Sequence, residues 1–233
     1  MSRFTLVTAL TLSGTLLQAD GLADLKAALK ALPHASKVCA RIEEESREQE
    51  GGKDQIERRT VRLEDGPEGT RILEDSRLPA LAGTSNPDTA NAKKGGRPFE
   101  GILRPAAGLL EQLDKARLVE EKPDTREGQP VRRLKLVMDL KLDAEAKSKL
   151  KKAVHEATVW IGADGVPLAM DQQIEIKARV LLVASVWTKV DIHIRYQRNQ
   201  GRLLVLEERS DVQGSALGKS FSAHETTRCS VLP

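Results

Sequence analysis

Through much of the chain, apolar and polar residues alternate one for one. In "QIEIKARV", Ile174, Ile176, Ala178 and Val180 fall on one side of an extended backbone and Glu175, Lys177 and Arg179 on the other. Val190, Ile192, Ile194 and Tyr196 alternate in the same way with Asp191, His193 and Arg195, and Leu134, Leu136, Met138 and Leu140 with Arg133, Lys135 and Asp139. A period of two marks strands with one dry and one wet face. In "SKVCARIEEESREQEGGKDQIERRTVRLEDG", a two-residue loop at Gly51-Gly52 sets Ala40 opposite Leu63, Ile42 opposite Val61, Glu44 opposite Arg59 and Glu45 opposite Arg58. A longer loop would set Glu48 against Glu57, at a cost, so the acidic run reads as the partner of a basic strand.

Further turns punctuate the pattern. "DGPEG" leads into a strand around Thr70 to Glu74, "KPDTREGQP" separates the strands "ARLVEE" and "VRRLKLVMDLKL", and "RNQG" leads to Leu203–Leu206. In "VWIGADGVPLAM", a two-residue Asp164-Gly165 loop of type I′ pairs Val159 with Met170, Ile161 with Leu168 and Trp160 with Ala169. Asp164 is then a turn residue and not a catalytic acid.

Three segments carry a helical period instead. Leu22, Leu25, Leu29 and Leu32 share a face behind the cap Asp20, and Pro33 ends the run. Phe99, Ile102, Leu103, Ala106, Leu110 and Leu113 follow, with Pro105 opening the second part. "DAEAKSKLKKAVHEA" reads as a basic amphipathic helix capped by Asp143, with Ala146, Leu150, Val154 and Ala157 inward. Six or more antiparallel strands with such short helices give an α+β fold, a curved antiparallel sheet whose concave face the helices cover.

"MSRFTLVTALTLSGTLLQAD" has one Arg before an apolar run that ends near Ala19, the pattern of a secretory signal peptide. The run is too short and too often broken for a membrane span. The expected organisation is therefore a signal peptide at 1–19 and a single domain at 20–233. The expected address is the periplasm or the medium beyond it. The polar stretch 81–98, rich in Gly, Pro and Asn, is a long loop. In an exported chain the pair Cys39 and Cys229 reads as a disulfide that would close almost the whole domain.

Charge excludes more than it suggests. The chain has 37 Lys and Arg against 34 Asp and Glu; removing 1–19 takes away Arg3, leaving 36 against 34, net +2. With aromatics at 3%, neither a nucleic-acid surface nor a carbohydrate platform is expected. His34, His155, His193 and His224 are scattered, without metal-ligand spacing. "GSALGKS" has Gln213 where a phosphate loop needs Gly, and no nucleophile elbow appears. No catalytic residue, metal or cofactor is expected. "VLLVASVW" is almost wholly apolar where a hairpin must reverse. It reads either as a buried central strand or as a cavity mouth or tip, with Leu182 and Trp187, that meets an acyl chain or a lipid surface.

With its helix ending in "ALPHASKV", its hairpin, its mid-chain helices and "VWIGADGVPLAMDQQIEI", the chain resembles the LolA-like lipoprotein-carrier superfamily of the bacterial envelope. The resemblance is most specific over residues 158–176. It implies a half-open barrel plugged by helices, with acyl chains in an apolar hollow. Leu134, Leu136, Met138, Val159, Ile161, Ile174, Ile176, Ile192 and Ile194 would line it, chosen by face. The function expected is non-enzymatic binding of a lipid, acyl chain or lipoprotein. The alternative is an envelope protein-interaction or sensor module with a filled core.

Overall fold

The computed structural model describes residues 20–33, 37–50, 53–77, 99–140, 149–179, 185–216 and 218–233. The signal peptide at 1–19, the loop at 81–98, the cap Asp143, and Leu182 lie outside them. Helix α1 (Gly21–Ala31) precedes strands β1 (Val38–Glu50), β2 (Lys53–Gly66) and β3 (Gly69–Asp75). Helices α2 (Glu100–Leu103) and α3 (Pro105–Leu113) follow, then β4 (Arg117–Arg126), β5 (Gln129–Val137), β6 (Leu150–Ile161) and β7 (Pro167–Arg179). The chain ends in β8 (Ser185–Asn199), β9 (Arg202–Ala216) and β10 (Lys219–Leu232).

These strands form one curved, unclosed antiparallel sheet in the order β3-β2-β1-β10-β9-β8-β7-β6-β5-β4. The β1–β2 register is the one that charge pairing selects: Ala40 faces Leu63, Ile42 faces Val61, Glu44 faces Arg59 and Glu45 faces Arg58. Type I′ geometry, with positive φ at both central residues, occurs at Glu127-Gly128 and at Gln200-Gly201. "KPDTREGQP" is accordingly not a long turn. Pro123 sits within β4, which it can do because β4 is an edge strand with one backbone side unpaired.

The Asp164-Gly165 turn differs from the expected two-residue loop. Gly162 N–H donates to the Val166 carbonyl at 3.0 Å, and Gly165 N–H to the Gly162 carbonyl at 3.0 Å. Three residues therefore make the loop, and of these only Gly165 has positive φ, as in a type I turn closed by a glycine bulge. Trp160 still faces Ala169 and Val159 faces Met170, but the extra residue sets Ile161 against Pro167 instead of Leu168. Asp164 is a turn residue, its Oδ1 accepting from Val166 N–H at 3.1 Å.

Two further expectations are overturned. The helix expected to run to Ala157 is, from Leu150 onward, strand β6, with Ala153 facing Ile176, His155 facing Ile174 and Ala157 facing Gln172. The helical spacing was local. Strands β5 and β7 both need a backbone partner, and a segment rich in β-branched residues from Val154 to Ile161 supplies it. The disulfide is absent, and both cysteines are free. Strands β1 and β10 are indeed neighbours, but Ile42, not Cys39, faces Cys229, while Cys39 faces Leu232. The cysteines are three residues out of register and on opposite faces, roughly 10 Å apart along the strand direction, beyond the reach of an S–S bond.

The described helices cover one end of the concave face. Leu22, Leu25 and Leu29 of α1 and Ala106, Leu109 and Leu113 of α3 pack on Leu134, Leu136, Val159, Ile161, Met170, Tyr196, Leu203 and Val205. A second cluster joins Phe99 and Leu103 to Ala40, Ile42, Val61, Leu63, Leu204 and Cys229. Asp20 caps α1 by accepting from Leu22 N–H at 3.0 Å, and Gly165 lets the β6–β7 turn close onto α1, since a Cβ there would lie 2.9 Å from the Asp24 carbonyl.

A buried ion cluster pins the plug. Asp65, wholly buried, accepts from Arg104 Nε at 2.9 Å and Nη2 at 3.0 Å, and from Arg202. Arg104 also donates to the Gly66 carbonyl at 2.6 Å, and Arg202 to that of Leu103 at 2.9 Å. One carboxylate thus ties β2, the α2–α3 junction and β9 together.

Candidate functional site

Beyond the plug, the strands continue with the same alternation. Their inward residues form cross-strand rows that can be read directly from the registers. One row runs His155, Ile174, Val190, Val212, Ala223, Glu48. The row nearer the strand tips runs Ile176, Thr188, Gly214, Phe221. The row nearer the plug runs Gln172, Ile192, Ser210, Glu225, Ser46, and the next Met170, Ile194, Glu208, Thr227, Glu44. Ile174, Ile176, Val190, Ile192, Val212 and Phe221 are half-buried and make a continuous apolar floor. Gly214 admits the Phe221 ring, as a Cβ there would lie 2.3 Å from it.

The residues chosen from sequence divide between two places. Leu134, Leu136, Met138, Val159 and Ile161 are buried in the core beneath α1 and α3. Ile194 packs at the edge of that core. Ile174, Ile176 and Ile192 lie together on the uncovered floor. Trp187 faces Lys177 and Ser215, on the opposite, convex face, and its indole N–H is buried without a hydrogen-bond partner. The reversal between β7 and β8 falls within 180–184, outside the described residues. The residues chosen from sequence leave out Val190, already placed on one face with Ile192, and Val212, Phe221 and Ala223, whose alternation is visible once β9 and β10 are set in register.

A polar seam separates plug from floor. The Gln172 side-chain amide donates to Gln112 of α3 at 3.2 Å, and its oxygen lies 3.3 Å from His155 Nε2. His155 Nδ1 is buried without a partner.

The two faces treat charge differently. On the convex face Glu175 contacts Lys152 and Lys177, Glu207 contacts Arg209 and Arg228, and Asp171 contacts His193. Hydrogen bonds from Lys152 and Lys177 hold the Glu175 carboxyl down at about 2. On the concave face, Glu48, Glu208 and Glu225 have no ion pair or side-chain hydrogen bond among the described residues. Burial, and then the charge of Glu225, pushes the Glu208 carboxyl above its ordinary value. These three carboxylates form a diagonal: each lies one strand over and one row along from the next. Diagonal neighbours are about 7–8 Å apart. Among the described residues, no group of His, Cys, Asp and Glu could hold a metal ion, and no helix is long and apolar enough to cross a membrane.

Fold and site together define a half-barrel that, among the described residues, helices plug at one end and leave uncovered at the other. No family model and no curated protein matches the chain. Among solved structures it is similar to a DUF1329 family protein from Desulfovibrio piger ATCC 29098, at 14% identity and a TM-score of 0.37 over 90% of each chain. It is also similar to MucB in complex with MucA(peri), at 10% identity and a TM-score of 0.23, over 91% of this chain and 93% of that one. The half-barrel description rests on the strand order itself.

Proposed function

We propose that the protein is a non-catalytic binder of an apolar chain, a lipid or the acyl chain of a lipoprotein, acting in the periplasm. The uncovered floor of Ile174, Ile176, Val190, Ile192, Val212 and Phe221 carries this reading, because it is concave, continuous and bordered by polar residues. Each methylene laid on such a surface contributes about 0.8 kcal/mol when fully buried. A few polar groups at the border then orient the ligand. To test this, the protein is purified from an oxidising periplasm, weighed under native and denaturing conditions, and extracted with organic solvent. A stoichiometric lipid or fatty acid released on denaturation is the expected result. A bare protein whose mass and melting temperature ignore added alkyl probes would overturn it.

A second reading, an envelope protein-interaction module, rests on the other end of the sheet. Among the described residues strand β3 is an edge of the sheet, and it exposes Ile72 and Leu73. An edge of this kind accepts an added strand. If the hollow binds nothing, this reading takes the lead.

A further inference from the structure

We propose that the ligand of the hollow is a cationic amphiphile, a free alkyl chain ending in a protonated amine. This rests on the apolar-chain reading and names the head group that the chain would carry. Two independent features converge on it. The floor supplies a concave apolar strip that no described helix covers. Beside it stand Glu208, Glu225 and Glu48, which have no ion pair among the described residues, whereas Glu175, Glu207 and Asp171 of the other face are paired with lysine, arginine and histidine.

The placement suits one positive group. Glu208 extends the row that contains Ile194, and Glu225 the row that contains Ile192. The two are diagonal neighbours, so an ammonium seated between them would lie about 3–4 Å from each side-chain position. An alkyl chain leaving that point toward the strand tips runs over Ile192, Val190, Val212 and Ile174. Glu48 continues the negative stripe at the rim. A fatty-acid carboxylate in the same place would meet two like charges, the half-buried Glu208 and the exposed Glu225, and the repulsion from Glu208 is screened less than in water. The described concave cation nearest the strand tips, Lys219, faces Ala216 at the far end of the hollow. Arg59, at the other side, is occupied by Asp75 and Glu44.

The test compares three probes with the same chain and different heads, n-decylammonium, n-decanol and n-decanoate, titrated calorimetrically below their aggregation limits at pH 7.5. The full chain is used beside an E208Q/E225Q double variant and an E175Q control from the convex face. The expected result is that decylammonium binds about tenfold or more tightly than decanoate, the scale of one charge-assisted contact, with decanol between them. In the double variant that preference falls to about twofold or less while decanol affinity is unchanged, and E175Q behaves as the parent. Decanoate binding as tightly as decylammonium, or a preference that survives the double substitution, would overturn the head-group assignment and leave the hollow standing. Failure of all three probes to bind overturns both. Equal decanol affinity in parent and double variant shows that the substitutions have left the hollow intact.

Discussion

The two ends of this sheet begin from the same sequence rule and reach different outcomes. Near the plug, inward residues such as Leu134, Val159 and Ile161 are wholly buried beneath α1 and α3. Toward the strand tips, Ile174, Ile176 and Val190 alternate just as regularly, yet stay half-buried. Alternation fixes which face a side chain occupies; what covers that face is decided by where the helices dock. The docking is specified by a few contacts that follow no period, namely the Asp65 cluster, the cap at Asp20 and the glycine at 165.

The largest effect is expected where the plug is pinned. Replacing Asp65 with alanine leaves Arg104 and Arg202 facing each other without the carboxylate between them. Breaking a buried pair in this way costs about 3–5 kcal/mol. Urea denaturation measures it, and a cost below about 1 kcal/mol, the level of an exposed pair, would show that the plug is held by apolar packing alone.

A smaller pair of substitutions contrasts the ends directly. Leu134→Ala should cost about 2–5 kcal/mol, as for a wholly buried leucine whose site cannot collapse. Ile176→Ala should cost under about 1 kcal/mol of stability but weaken binding of decanol. Equal losses of stability at the two sites would mean that the open end is filled, and the distinction between the ends would fail.

Glycine substitutions refine the same contrast at lower cost. Gly165 and Gly128 both have φ of 77°, so alanine at either carries the left-handed penalty of about 1–2 kcal/mol. A Cβ at Gly128 meets nothing, whereas at Gly165 it meets the backbone of α1. Gly165→Ala should therefore be the more destabilising in thermal melts, and equal melting temperatures would place α1 farther from the turn.

Much of this was legible beforehand, and the limits have physical causes. The β1–β2 register could be read because opposite charges and a two-residue loop agreed on one solution. The identity of Asp164 as a turn residue was legible, but the loop length was not, since Asp-Gly serves both two-residue and three-residue hairpins. The strand at 150–161 was hidden because "SKLKKAVHEA" fits a helical stripe, and only the needs of β5 and β7 for a partner decide against it. Cys39 and Cys229 suggested a bond through their number and compartment, whereas strand parity puts them on opposite faces. Asp65 could have been noticed. It continues the inward series Val61, Leu63 and so places a charge where an apolar residue belongs, which calls for buried partners; Arg104 and Arg202 come from distant parts of the chain. The floor was half-visible: Ile174, Ile176 and Ile192 were found by alternation, while Val212 and Ala223 sit among small and polar residues that dilute the pattern.

The smallest effect separates the two faces by the sign of their response to pH. Burial and Glu225 raise Glu208 above its ordinary value of 4.5, so ionising it is harder in the folded than in the unfolded chain. Its contribution is destabilising above the folded value and disappears as pH falls through the unfolded value. Glu208→Gln should therefore raise the melting temperature at pH 7.5 slightly. The gain should vanish by about pH 4, below that unfolded value. Glu175, held at about 2 by Lys152 and Lys177, behaves oppositely. Its contribution is stabilising, present above 4.5 and lost as pH falls toward 2, so Glu175→Gln should lower the melting temperature at pH 7.5 and the deficit should shrink in acid. Melting curves of both variants across pH 3 to 8 give two differences of opposite sign if the concave carboxylates are unpaired and the convex ones paired. Two differences of the same sign would mean that Glu208 has found a cation within the protein, and the hollow would then have no charge left to offer a ligand.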